Sequence, residues 1–361
     1  MRTAPPPPVR PATRRHRLRA VTLCGIAAAL AWACTATPDT ASDTAAASDT
    51  AAAADTAAEI ASASDAESAA ESATALLPDP VSFVVAAIAD PHVTGTGDHL
   101  DRLDAAVAWL NAEAPSRGIE VVLVLGDIAW GAGVTLARSS LDKLQVPYVP
   151  IIGDNSVHAG DEETFEQIFG PVLAGLGDHF DALDRPAPAV SNPEVDAISW
   201  LQNVAFDHRG VHFVGLDFCS RKNGEFLGIP GLEGDQGDLH DFPGGTWPWF
   251  VADIAAHADR PKGSILLFSH IPMHVSPGAL SAAEMQTVVA VTGPLDGVIH
   301  ANLAGHYHVD AEVTPEGAGY LSVVVGTIHA GDLIIHLAKA NDYGDQLTWT
   351  HETVALPWPA P

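Results

Sequence analysis

Cysteine is scarce in this 361-residue sequence, which has only Cys24, Cys34 and Cys219. The first two fall in an N-terminal segment with the marks of an export signal. Cys219 is therefore alone in the remainder, and an intramolecular disulfide there is excluded. An exported domain without disulfides has to draw its stability from the size of its core or from bound metal. Basic residues are scarce as well. Six of the 17 (Arg2, Arg10, Arg14, Arg15, Arg17 and Arg19) precede Cys34, so eleven face 45 acidic residues over the rest of the chain. Binding nucleic acid requires a basic footprint on its phosphates, and this balance argues against it. Gly-x-Ser-x-Gly and Gly-x-x-x-x-Gly-Lys motifs are absent, which removes the usual nucleophile-elbow hydrolase and phosphate-loop readings.

The N-terminus runs from the basic "RRHRLR" through the apolar "AVTLCGIAAALAWA" to Cys34. Its 14 apolar residues fall short of the roughly 20 that span a bilayer as a helix, so residues 1–33 read as a signal peptide. "LAWAC" resembles the lipobox of bacterial lipoproteins, although Leu30 sits one place early and Trp32 is bulky. The expectation is export to the periplasm or cell surface with Cys34 lipidated as a membrane anchor, and plain secretion is the alternative. Arg14-Arg15 fits a generic basic region better than a twin-arginine signal. Residues 34–78 are Ala, Ser, Thr and Asp with scattered Glu, too poor in large apolar side chains to offset the entropy of ordering. They read as a disordered tether, with an Ala-rich helix as the rival.

From residue 79 to about 355 the pattern changes. "VSFVVAAIAD" (81–90), "EVVLVLGD" (120–127), "VPYVPIIGD" (146–154), "GVHFVGLD" (210–217), "GSILLFSH" (263–270) and "LDGVIHANLAGH" (295–306) are short, apolar and β-branched. Such runs suit strands buried on both faces. "GDHLDRLDAAVAWLNAEA" (97–114) places Leu100, Leu103, Ala106, Val107 and Leu110 on one helical face. The alternation predicts an α/β domain. The closing stretch alternates more and predicts added antiparallel strands. Residues 170–205 and 220–246 read as long irregular inserts, of the kind that serve as lids or stay unordered.

Five of the strand-like runs end in groups that can ligate a metal: Asp90-Pro91-His92, Gly126-Asp127, Gly153-Asp154-Asn155, Ser269-His270 and Gly305-His306-Tyr307-His308. Ligands of open α/β sheets bind beyond the carboxyl ends of strands, so these groups are expected on one rim. Aspartate with histidine suits Fe, Zn or Mn. The two-residue spacing of Asp90 and His92, and of His306 and His308, would on extended backbone turn both side chains to one side. Glycine before Asp127, Asp154 and His306 permits a sharp turn and a close approach.

In this order the motifs resemble those of the calcineurin-like metallophosphoesterases: Asp-x-His, Gly-Asp, Gly-Asn-His, a lone His and Gly-His-x-His. The resemblance covers roughly residues 80–350. It implies a four-layer sandwich of two mixed β-sheets flanked by helices, and a centre of two divalent or trivalent ions. Asp90, His92 and His308 would hold one ion, Asp154, His270 and His306 the other, and Asp127 would bridge them. The implied activity is hydrolysis of a phosphate mono- or diester by a hydroxide that the ion pair activates.

The chain departs from the family at two positions. Asp154 stands where the family has Asn, which keeps an oxygen ligand and adds charge; a one-residue slip would make Asn155 the ligand instead. Asn155 stands where the family has its acid-donating His and can only donate a hydrogen bond to a phosphate oxygen. Losing a general acid costs about 10²- to 10⁴-fold, which favours esters with easy leaving groups. His158 is the candidate substitute donor, with an ordinary loop histidine as the plain reading. The rival function is a non-catalytic metal-binding surface protein descended from such an enzyme. His274 and His329 are candidates for the rim. His99, His257 and His351 are expected on solvated surfaces, Asp217 in a structural role, and Trp247, Trp249 and Phe250 in packing.

Overall fold

β-branched runs too short for helices pair into sheets here, and the computed structural model describes residues 81–222, 236–275, 279–343 and 346–358. The expected signal peptide and tether lie outside these residues. The described chain begins β1 (Val81–Ile88), α1 (His99–Arg117), β2 (Ile119–Leu125), α2 (Gly133–Leu141), β3 (Tyr148–Ile151), α3 (Asp154–His158) and α4 (Glu162–Gly175). It continues through β4 (Asp181–Asp184), β5 (Ala189–Asn192), β6 (Ala197–Trp200), β7 (Val204–His208), β8 (Val211–Leu216), α5 (Thr246–Ala256) and β9 (Ile265–Ser269). Then come α6 (Ala282–Thr292), β10 (Ile299–Ala304), β11 (Ala311–Val313), β12 (Leu321–Val324), β13 (Leu333–Asp342) and β14 (Leu347–Leu356).

Two mixed sheets result, as the family resemblance implies. One has the order β14-β13-β1-β2-β3, with β1, β2 and β3 parallel and the β13–β14 hairpin added antiparallel. The other has the order β11-β12-β10-β9-β8-β7-β4, parallel from β12 to β8 and antiparallel towards both edges.

The side-chain period of two divides each buried strand between two cores. Phe83, Val85 and Ala87 of β1 join Leu123, Phe206, Phe213, Leu266 and Phe268 in the layer between the sheets. The alternate residues Val84, Ala86 and Ile88 pack with Leu103, Ala106, Val107 and Leu110 of α1 in the outer core. Phe250 of α5 and Val288 of α6 belong to that outer core, with Leu267 of β9. This double burial explains why the runs are apolar without alternation. α1 ends at Gly118, whose left-handed φ of 70° lets its N–H reach the Ala114 carbonyl.

The reading of 170–205 as irregular is corrected. It holds the end of α4, the short strand β4 at the edge of the larger sheet, and the β5–β6 hairpin as a separate two-stranded sheet. These strands are four residues long and mostly exposed, so they carry no hydrophobic period to read. Residues 223–235 of the second insert lie outside the described part. Among the described residues, no helix is long and apolar enough to cross a membrane.

Phe213 is fully buried, stacks on Phe206 with ring centroids 4.8 Å apart, and faces Phe83 of the opposite sheet at 6.5 Å. Phe213→Ala should therefore lower unfolding free energy by about 3–5 kcal/mol, read from urea denaturation midpoints. A loss below 1 kcal/mol would contradict the assignment of this layer as the main core.

Candidate metal centre

Every candidate ligand follows the end of a strand. Asp90 and His92 follow β1, Asp127 follows β2, Asp154 opens α3 after β3, His270 follows β9, and His306 and His308 follow β10. The extended backbone expected for the Asp-x-His and His-x-His pairs is not found. Asp90, His92, Asp127, His306 and His308 have φ of 55°, 52°, 46°, 77° and 58°. Left-handed backbone at a non-glycine residue costs on the order of 1–3 kcal/mol and persists only where its surroundings hold it. Backbone hydrogen bonds do so here. The N–H of Asp90 donates to the Gly126 carbonyl at 3.3 Å and that of His92 to the Asp127 carbonyl at 2.9 Å. The N–H of His306 donates to the Asp90 carboxylate at 3.2 Å.

The seven side chains gather in two adjoining sets. Asp90 Oδ1 is 3.8 Å from His92 Nε2 and 3.5 Å from His308 Nε2. Asp154 Oδ1 is 2.8 Å from His270 Nε2 and 3.4 Å from His306 Nδ1. Asp127 stands between the sets, with Oδ2 3.2 Å from His92 Nε2 and Oδ1 3.7 Å from His270 Nε2. Two ligands of one tetrahedral zinc lie about 3.4 Å apart, given bond lengths near 2.1 Å. The donor set fits a cation on further grounds. His92 Nε2 is buried without a hydrogen-bond partner. His270 donates from Nδ1 to the Leu125 carbonyl at 2.9 Å, which leaves Nε2 to face Asp154 and Asp127.

The glycines act through space as much as through conformation. A Cβ on Gly126, whose φ is 78°, would lie 2.5 Å from the His270 ring. One on Gly153 would lie 2.1 Å from the Asp127 nitrogen and 2.2 Å from its Oδ1. The chain before each aspartate thus passes too close to another candidate ligand to carry a side chain.

Asn155 is brought to the centre but turned to Asp127. Its backbone N–H donates to Asp127 Oδ1 at 2.9 Å and its amide Nδ2 donates to Oδ2. It thereby orients the carboxylate between the two sets. It is Asp154, not Asn155, that faces the histidines. His158, at the end of α3, points Nδ1 at Asp154 Oδ2 from 4.0 Å. His329 lies on the rim, its ring stacked on His92 at 4.1 Å and its Nδ1 donating to the Asp90 carbonyl at 3.1 Å. Thr327 donates to the same carbonyl at 3.0 Å. Nothing in the spacing around Thr327 marks it, because the contact crosses from the chain after β12 to the end of β1.

Other expectations change. His274 bonds to the Tyr320 hydroxyl at 2.6 Å, and burial pushes its pKa down to about 4. His99, His257 and His351 are half-buried and bonded, not solvated. His99 Nδ1 donates to the His92 carbonyl at 2.7 Å, His257 Nδ1 donates to the Asp253 carbonyl at 2.8 Å, and His351 sits between His300 and His336. The rings they pack against are distant in sequence: His99 meets His329, His257 stacks on His212 and His351 stacks on His300. Asp217 is structural, pairing through both oxygens with buried Arg221, and Trp247 and Phe250 pack in the outer core. Trp249 packs at that core's edge and donates to Asp184 at 2.9 Å.

Neither a family model nor a curated protein matches the chain. Solved structures with similar folds include Thermus thermophilus TT1561, with 11% identity, 74% of this chain and 98% of that one covered, and a TM-score of 0.42. The Thermus thermophilus sulfate thiohydrolase SoxB gives 13% identity, coverage of 76% and 56%, and a TM-score of 0.42. This chain thus spans little more than half of SoxB. The phosphopantetheinyl hydrolase of Mycobacterium tuberculosis gives 13% identity, coverage of 68% and 90%, and a TM-score of 0.36. In motif order, the chain resembles the calcineurin-like metallophosphoesterases.

In the metal-free protein, histidine protons supply the positive charge that the carboxylates need. Burial opposes a charged His92, yet Asp127 and Asp90 raise its pKa to about 9; for His270, burial is likewise outweighed by Asp127 and Asp154, and the pKa rises to about 10. Burial would raise Asp90 and Asp154, but the histidines hold both well below the usual carboxylate range. The raised histidine pKa values stabilise the metal-free fold fully below about pH 6.5, a contribution lost as pH climbs through 9 to 10. A metal ion must displace these protons. Zinc loading at pH 7 should therefore release protons, and affinity should rise from pH 6 to pH 9. Calorimetry in buffers of different ionisation enthalpy checks this; a binding heat independent of buffer would refute it.

Proposed function

We propose that the chain is a metal-dependent hydrolase of phosphate mono- or diesters, a metallophosphoesterase of the calcineurin-like kind with two ions. The observation that carries the reading is Asp127, whose two oxygens face His92 at 3.2 Å and His270 at 3.7 Å. Asp90, His92, His308 and Asp127 would hold one ion, and Asp154, His270, His306 and Asp127 the other. Bound there, a pair of cations supplies Lewis acidity and lowers the pKa of water, the chemistry that in-line hydrolysis of a phosphate ester requires. The protein's own part is to orient. Asn155 fixes both oxygens of Asp127, and the Leu125 carbonyl sets the tautomer of His270.

Asn155 has no proton to give, and its amide is already committed to Asp127. That favours turnover of esters with acidic leaving groups. It also supports a second reading, in which the domain binds metal without catalysis. In the first reading His158 would be the proton donor, and its approach to within 4.0 Å of Asp154 supports that role.

The test is zinc- or manganese-loaded protein assayed on p-nitrophenyl phosphate, bis-p-nitrophenyl phosphate and an alkyl phosphate. Hydrolysis of a nitrophenyl ester at least 10²-fold faster than the alkyl ester is expected, with Asp127→Asn losing at least 10³-fold in kcat. Two bound ions with no turnover would select the non-catalytic reading. Protein that binds no metal would sink both.

The basic and apolar leader before Cys34 supports export, with a lipid anchor as the membrane partner. Expressed in a bacterial host, the chain should carry an acylated Cys34 in the membrane fraction, and Cys34→Ser should release it. Mass spectrometry of the mature N-terminus decides; an unmodified terminus after Cys34 would mean plain secretion.

A further inference from the structure

His240 is fully buried, and it is left with a nitrogen that nothing among the described residues satisfies. Nε2 donates to the Cys219 carbonyl at 3.0 Å, and Nδ1 is buried without a hydrogen-bond partner among the described residues. It points at two carboxylates: Glu194 Oε2 at 3.8 Å and Asp238 Oδ1 at 3.7 Å. These separations are too long for hydrogen bonds, so moving the proton to Nδ1 would not satisfy the group. They match the 3.5 to 3.8 Å that separate Asp90 from His308 and His92 in the main centre. The three ligand atoms all lie within 4.8 Å of one another.

We propose that Glu194, Asp238 and His240 form a third cation site, of a structural kind suited to zinc. One imidazole nitrogen with two carboxylate oxygens is a donor set that zinc accepts, and solvent can complete the shell on the exposed Glu194 side. Glu194 lies in the turn between β5 and β6, while Asp238 and His240 lie in the segment leading to α5. An ion there clips the small hairpin to that segment. Through the Cys219 carbonyl it also braces the chain after β8, where Cys219 Sγ rests 3.7 Å from the Ile152 carbonyl just ahead of Gly153 and Asp154.

A competitor for the carboxylates is present. Lys222 Nζ sits 3.0 Å from Glu194 Oε1 and 2.7 Å from Asp238 Oδ2. It is a surface residue and engages the oxygens that face away from His240, so it offsets charge without satisfying Nδ1. Its removal should strengthen cation binding.

The Glu194–Asp238–His240 cluster shares no residue with the main centre, and one experiment separates the two. Metal-stripped protein is titrated with Zn²⁺ by calorimetry and bound zinc is counted after dialysis, for wild type, Asp127→Asn, Glu194→Gln, His240→Asn and Lys222→Met. Glu194→Gln should carry one zinc fewer than wild type and show a smaller zinc-induced rise in Tm, whereas Asp127→Asn should keep the zinc held by Glu194, Asp238 and His240. His240→Asn should behave alike, and because that buried change can impair folding, the exposed Glu194→Gln decides. Lys222→Met should keep the ion and bind it about tenfold tighter. Equal zinc counts and affinities in wild type, Glu194→Gln and Lys222→Met would overturn the site and leave Lys222 as the cluster's cation. A single zinc lost only in Glu194→Gln would support the site and sink the dinuclear reading.

Discussion

Three buried carboxylates, Asp90, Asp127 and Asp154, stand at one rim of the sandwich with little water to separate them. Carboxylates buried this closely repel one another and lose their hydration, so the arrangement exists only where positive charge is held among them. Much else follows from that constraint. His92, His270, His306 and His308 approach the same oxygens, and the carboxylates raise the basicity of the first two. A proton or a metal ion can meet the demand. The hydrogen bonds that fix His270 and Asp127 favour the metal, because they leave lone pairs converging where a cation sits.

The fold places that charge at the end of its most rigid part. β1, β2 and β3 are parallel in one sheet and β9 and β10 in the other, each buried on both faces, and each turns within a residue or two of its last ladder bond. The turns are tight enough to force left-handed backbone on five of the seven ligand candidates. The strain is local and the restoring contacts are distant. Asp90 is held by hydrogen bonds from or to residues near 126, 306, 327 and 329. A centre assembled this way is preorganised, since moving one ligand means moving a strand.

Charge compensation elsewhere follows the same rule with different cations. Asp217 is buried and answered by the Arg221 guanidinium. Among the described residues, Glu194 and Asp238 are answered on their outer side by Lys222, which leaves His240 facing them on the inner side. Arginine satisfies a carboxylate with several fixed donors, whereas lysine offers one compact charge and cannot reach every lone pair. The difference separates a closed structural pair from a site with room for an ion.

Much of this was legible in the residues. Apolar β-branched runs indicated strands, their lack of alternation indicated burial on both faces, and the polar groups at their ends indicated a shared rim. Those inferences are local, because period and residue type are properties of neighbours in the chain. The β4–β6 strands were not legible, since four exposed residues carry no period. Nor were the left-handed ligand residues, the reach of Asn155 to Asp127, or the burial of His99, His257 and His351. Each of these depends on a partner tens or hundreds of residues away. The sequence by itself determined which side chains could bind a cation and that strands would end in them. Tertiary structure alone decided which oxygen faces which nitrogen, because nearly all of those distances arise from pairing strands and packing two sheets together, not from contacts between neighbours in the chain.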